Sequence, residues 1–122
     1  MKTILVVDDS RPIRMAIRRI LESVGLQVAE AGDGREAIAY LEAKGVPDCI
    51  LLDIDMPNMD GLSCLRSLRG NTKYQGTMVV MCTTHTSMEK ISAAIETGAN
   101  EYIMKPFDAE IIKGKLEALS VL

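Results

Sequence analysis

Short apolar runs rich in branched residues recur along the chain, each followed by a stretch with helical periodicity. The runs are Ile4-Leu5-Val6-Val7, Cys49-Ile50-Leu51-Leu52, Met78-Val79-Val80-Met81-Cys82 and Tyr102-Ile103-Met104. Because they lack polar alternation, they read as strands buried on both faces, the situation in a parallel sheet covered by helices. Gln27-Val28-Ala29-Glu30 is shorter of apolar residues and reads as an edge strand.

The intervening segments carry helix signals. Ile13, Ile17, Ile20, Leu21 and Val24 share one face, with Ser10 as cap, Pro12 in the first turn and Gly25 as the stop. A second helix spans about Arg35 to Lys44, burying Ala37, Ile38 and Leu41, and ends at Gly45. A third starts after Asp60 and buries Leu62, Leu65 and Leu68. The fourth opens with the capping-box pattern Thr86-Ser87-Met88-Glu89 and stops at Gly98. The fifth starts at Asp108, past Pro106, and buries Ile111, Ile112, Leu116 and Leu119. The expected fold is therefore (βα)5, a doubly wound parallel sheet whose right-handed crossovers place helices on both faces.

Composition fits one such unit. The chain has 122 residues, 48% of them hydrophobic and 25% charged, so a single soluble domain without an appended effector is expected. A net charge of -3 gives no basic footprint for nucleic acid. The apolar runs are too short to cross a bilayer, and the N-terminal stretch lacks a signal-peptide core. Three scattered cysteines, Cys49, Cys64 and Cys82, suit a reducing cytoplasm better than a disulfide frame or a zinc site.

Ligands of open α/β sheets bind beyond the carboxyl ends of the strands. There the sequence places Asp8-Asp9 after the first strand and Asp53-Ile54-Asp55 after the third. Thr83-Thr84 follows the fourth and Lys105-Pro106 the fifth. Taken singly, these are ordinary caps, turn hydroxyls or surface charges; acidic residues favour a helix start. Their joint occurrence at four strand ends is harder to explain that way. Clustered carboxylates repel, and a hard divalent cation relieves the repulsion; oxygen-only donors favour Mg2+. A carboxylate beside Mg2+ and a lysine is equipped to accept a phosphoryl group.

These residues resemble those of the receiver domain of two-component response regulators, end to end. The matching pieces are Val6-Val7-Asp8-Asp9, Leu51-Leu52-Asp53-Ile54-Asp55-Met56-Pro57-Asn58-Met59-Asp60-Gly61, Thr83, and Gly98-Ala99-Asn100-Glu101-Tyr102-Ile103-Met104-Lys105-Pro106-Phe107. Together and in this order they are highly specific, and the length is similar to that of single-domain chemotaxis regulators. The resemblance implies a flavodoxin-like strand order 2-1-3-4-5. It implies Asp53 as phosphoacceptor from a histidine kinase phosphohistidine, and Mg2+ held by Asp8, Asp9, Asp53 and the backbone carbonyl of Asp55. It further implies that Thr83 bonds the phosphoryl oxygen, that Lys105 pairs with another across a cis bond to Pro106, and that Tyr102 is a switch aromatic. Thr84 replaces the small residue usual after the switch threonine and would crowd the phosphoryl group. Asp55 and His85 occupy the two positions that set hydrolysis of the acyl phosphate in this family.

On this resemblance the chain is a monomeric phosphorylation switch, not a turnover enzyme. It would bind a partner such as a flagellar motor switch protein through the fourth helix, fifth strand and fifth helix. The nearest alternative is a phosphorelay shuttle to a phosphotransfer protein. Arg11, Arg14, Arg18 and Arg19 form a basic helix face suited to an acidic partner. Two other classes fit less well. Asp53-Ile54-Asp55 matches the Asp-x-Asp of aspartyl-phosphate phosphohydrolases, but there the motif ends the first core strand. A flavin domain of similar topology would find few rings among Tyr40, Tyr74, Tyr102 and Phe107. Gly32-Asp33-Gly34 lacks the third glycine of a dinucleotide fingerprint.

Overall fold

The computed structural model describes residues 2–83, 88–105 and 107–122. Ten elements alternate: β1 (Thr3–Val7), α1 (Arg11–Ser23), β2 (Gln27–Ala31), α2 (Gly34–Lys44), β3 (Cys49–Asp53), α3 (Gly61–Arg69), β4 (Val79–Thr83), α4 (Met88–Thr97), β5 (Glu101–Met104) and α5 (Ala109–Ala118). All strand pairs are parallel, in the order β2-β1-β3-β4-β5. The expected fold class and strand order are both present. No helix among the described residues is long and apolar enough to cross a membrane.

Strand alternation splits the core in two. Leu5, Val7, Ile50, Leu52, Val79 and Met81 face α2, α3 and α4 through Leu41, Leu65, Leu68 and Ala94. Ile4, Val6, Leu51, Val80 and Ile103 face α1 and α5 through Ile17, Leu21, Ile112 and Leu116. β3 and β4 are fully buried and bury both of their faces, which is why they show no polar alternation.

The helix starts use the caps that the chain supplies. Ser10, Asp33, Asp60 and Asp108 each accept a backbone N–H three residues on. The capping box expected at Thr86 lies outside the described residues. In α5 the expectation for Ile111 was wrong: it is 45% exposed, whereas Ile112 is fully buried. Adjacent helical residues point about 100° apart, so only one of the pair faces the sheet. Ile38 and Leu62 are likewise only half-buried at the margins of their helices.

Candidate functional site

The carboxyl ends of β1, β3, β4 and β5 meet at one edge of the sheet. Parallel pairing in register puts Val7 beside Leu52, Asp53 beside Cys82 and Thr83 beside Met104. The residues that follow these ends are therefore delivered to a common rim. Asp8, Asp9 and Asp53 each bring a carboxylate oxygen to within 4.8 Å of the others. Asp8 and Asp53 are buried, and Asp9 is exposed.

Lys105, one residue past β5, enters this cluster. Its Nζ donates to Asp8 Oδ2 at 2.6 Å and lies 3.6 Å from Asp53 Oδ2. Its own backbone N–H donates to the Thr83 carbonyl at 2.7 Å, fixing β5 against β4 just before the lysine. Asp8 is tied twice, since its Oδ1 also accepts the Ser10 N–H at 2.9 Å. Thr83 closes β4 and is buried. Asp55 follows in the β3–α3 loop; its carboxylate is exposed and 3.4 Å from Lys90 of α4.

Electrostatics single out Asp53. Burial, opposed by Lys105 and reinforced by the charges of Asp8 and Asp9, pushes its carboxyl up to about 6. The Asp55 N–H pulls weakly the other way. For Lys105, burial would favour the neutral amine. The hydrogen bond to Asp8 and the charges of Asp53 and Asp8 outweigh it and hold the ammonium above its ordinary value. The three carboxylates and one carbonyl-bearing loop are an all-oxygen donor set with surplus negative charge. That set suits a hard cation such as Mg2+ and would suit zinc poorly.

The backbone around Asp53 is closely packed. Gly61 donates its N–H to the Ile54 carbonyl at 2.8 Å, and a Cβ there would lie 2.1 Å from the Asp53 carbonyl oxygen. The loop from Ile54 to Asp60 is thus closed at its base by a residue that must be glycine.

Of the remaining sequence-derived residues, Tyr102 is half-buried against the α4-side core. The Lys115 ammonium lies 5.6 Å from its ring centroid. Thr84 and His85 lie outside the described residues, as does Pro106 with its expected cis bond. The basic face of α1 is corrected: Arg14 and Arg18 are committed to Glu30 on β2, at 3.0 and 2.7 Å. Arg14 also donates to the Asp8 carbonyl. Arg11 and Arg19 are the exposed members of the four.

Sequence reasoning missed one contact beside the site, the hydrogen bond from the Asn58 amide to Asp33. Asp33 was read only as part of a failed glycine fingerprint. The Asp33…Glu36 capping spacing was the signal available for its helix role. Its link to Asn58 spans 25 residues and has no local signature.

Comparison with known proteins agrees with this geometry. Residues 4–117 match the response regulator receiver domain family. The chain is 34% identical over 117 residues to chemotaxis protein CheY1 of Helicobacter pylori, covering 95% of this chain and 94% of that one. It is 35% identical to chemotaxis protein CheY of Pseudomonas aeruginosa at the same coverage. The solved structure of Vibrio cholerae chemotaxis protein CheY4 superposes with a TM-score of 0.90 at 36% identity, covering 100% of this chain and 99% of that one. The chain therefore belongs to the receiver-domain family of response regulators, the phosphorylation-controlled switches of two-component signalling. Within it, the chain is a CheY-like receiver, similar over its length to chemotaxis regulators. Receiver domains take phosphate from histidine kinases and bind Mg2+ at an acidic pocket. The cluster of Asp8, Asp9 and Asp53 is such a pocket in its chemistry.

Proposed function

We propose that Asp53 is the phosphoacceptor, and that its phosphorylation controls a protein partner in chemotaxis. The observation that carries the reading is the placement of Asp53: a buried carboxylate at the end of β3, 3.6 Å from Lys105 and clustered with Asp8 and Asp9. In the transfer, an Asp53 carboxylate oxygen attacks phosphorus. The phosphorus–nitrogen bond of the donor phosphohistidine breaks, and the imidazole leaves with the electron pair. Lys105 holds its positive charge beside the transferring oxygens throughout. Asp8, Asp9 and Asp53, with the Asp55 carbonyl, would hold Mg2+, which when bound supplies further positive charge at those oxygens.

Thr83 then bonds a phosphoryl oxygen, and Tyr102 repacks beside it. The equilibrium between two packings of the α4, β5 and α5 face is thereby shifted. That face binds the target, a flagellar motor switch protein or a phosphotransfer protein. Asp55, Thr84 and His85 modulate attack of water on the acyl phosphate. The protein works as a cytoplasmic monomer whose catalysis is confined to its own phosphorylation and dephosphorylation.

The test is intact mass after incubation with acetyl phosphate, with and without Mg2+, beside Asp53→Asn. A single Mg2+-dependent phosphoryl adduct that Asp53→Asn abolishes is expected. An adduct retained in Asp53→Asn would place the acceptor elsewhere. Failure with both acetyl phosphate and a phosphorylated histidine kinase would end the reading.

A further inference from the structure

Asp33 uses both of its carboxylate oxygens, for two different purposes. Oδ1 accepts the Glu36 N–H at 2.9 Å and caps α2. Oδ2 accepts from the Asn58 amide at 2.7 Å, and Asn58 belongs to the loop that starts immediately after Asp53. Asp33 itself is 7% exposed. Serine, threonine or asparagine would cap a helix about as well. A carboxylate is needed only if its second oxygen has work, and here that work is done on the loop.

The contact is built from both sides. Asn58 adopts φ 64°, the left-handed region that only glycine and a few short polar residues visit at low cost. Beside it, Gly34 donates its N–H to the Met59 carbonyl at 3.2 Å, and a Cβ on Gly34 would lie 2.9 Å from that oxygen. The loop is thus pinned at its base by Gly61 and at its far side by the start of α2. Asp55, whose carbonyl is assigned to the cation, lies between the two pins.

We infer that Asp33 is a positioning residue for phosphoryl transfer: through Asn58 it fixes the β3–α3 loop and so sets the affinity of the acidic site for Mg2+. This rests on the reading of Asp53 and Asp55 above. Charge-assisted hydrogen bonds of this length are among the stronger ones in proteins, and the acceptor, Asp33, is itself buried although Asn58 is exposed.

The test uses two variants that each remove the contact and keep the local backbone. Asp33→Ser retains a capping hydroxyl but cannot reach Asn58. Asn58→Gly keeps the left-handed turn and removes the amide. Magnesium affinity of the unphosphorylated protein is measured by titration calorimetry, with amide exchange at Gly34 in the metal-free protein and the thermal midpoint alongside. Each variant is expected to weaken Mg2+ binding about three- to tenfold and to speed Gly34 exchange. The double variant should do no more than the stronger single one, because both remove the same contact. Mg2+ affinity unchanged in both variants, beside a wild type that binds it, would overturn the inference and leave the reading of Asp53 intact. A wild type that does not bind Mg2+ would instead remove the acidic-site reading, and the inference with it.

Discussion

Replacing Asp53 by asparagine should make the metal-free protein more stable at neutral pH, although it removes the proposed phosphoacceptor. The Asp53 carboxyl moves from an ordinary 3.8 to about 6, mainly through burial, with Asp8 and Asp9 adding repulsion that Lys105 only partly offsets. A displacement of that size places about 3 kcal/mol against the ionised form at pH 7.5. The folded state holds the proton more tightly than the unfolded chain. The stabilisation from this group is therefore fully present below about 3.8 and is lost as pH rises through about 6. Asparagine has the same shape and no charge, so the variant has no such loss. Lys105 gives up its more distant partner but keeps Asp8 at 2.6 Å. The net gain should be about 1–3 kcal/mol, or roughly 3–10 °C in Tm for a domain of this size.

The assay is thermal or urea unfolding of both proteins in a chelating buffer from pH 4 to 8. The two stability curves should meet near pH 4, diverge between 4 and 7, and run parallel above that. Excess Mg2+ should close much of the gap, because a cation stabilises the wild type more than the variant. Parallel curves across the whole range, or a variant less stable than wild type at pH 7.5, would refute the repulsion argument.

Three further outcomes follow from local geometry. Gly61→Ala places a Cβ 2.1 Å from the Asp53 carbonyl oxygen, so the loop must shift. A loss of about 3 kcal/mol is expected, read as a lower urea midpoint at an unchanged slope. Arg69 donates to the Gly98 carbonyl at 2.8 and 3.0 Å and to Asn100, Tyr74 and Gln75, clamping the end of α4. Arg69→Met should cost about 2 kcal/mol and quicken amide exchange at Asn100, whose N–H bonds Val79. Burial pushes the thiols of Cys49, Cys64 and Cys82 up to about 12, 11 and 12. A thiol reagent at pH 8 should leave all three untouched in the native protein and label all three in denaturant.

The strands were legible because burial on two faces leaves no room for polar residues, and that absence is visible in one dimension. The strand ends were legible for the same reason. Asp8, Asp53, Thr83 and Lys105 each break or follow an apolar run, and parallel topology gathers such positions at one edge. Errors occurred where a single dimension is ambiguous. Ile111 and Ile112 are equally apolar, and only the orientation of α5 decides that the second is buried and the first exposed. The arginines of α1 looked like a free basic stripe because Glu30, which takes up Arg14 and Arg18, lies on a different element. Asp33 and Asn58 escaped for the same reason, since pairing through space leaves no periodicity.

The two buried carboxylates of the site differ in a way that bears on their roles. Asp8 has both oxygens engaged at short distance, by the Ser10 N–H and the Lys105 ammonium. Asp53, on the neighbouring strand, receives the Asp55 N–H and holds Lys105 only at 3.6 Å. Burial without full compensation is what raises the Asp53 carboxyl, and it leaves that group with the most to gain from a new partner. A carboxylate already satisfied would lose hydrogen bonds on attacking phosphorus; one held in repulsion loses little. Lys105 anchored on Asp8 is also already ordered, so its charge needs no rearrangement when phosphoryl oxygens arrive beside Asp53. This difference supports the proposed assignment, with Asp8 as the fixed element and Asp53 as the phosphoacceptor. The asymmetry is set by which carboxylate the lysine reaches first.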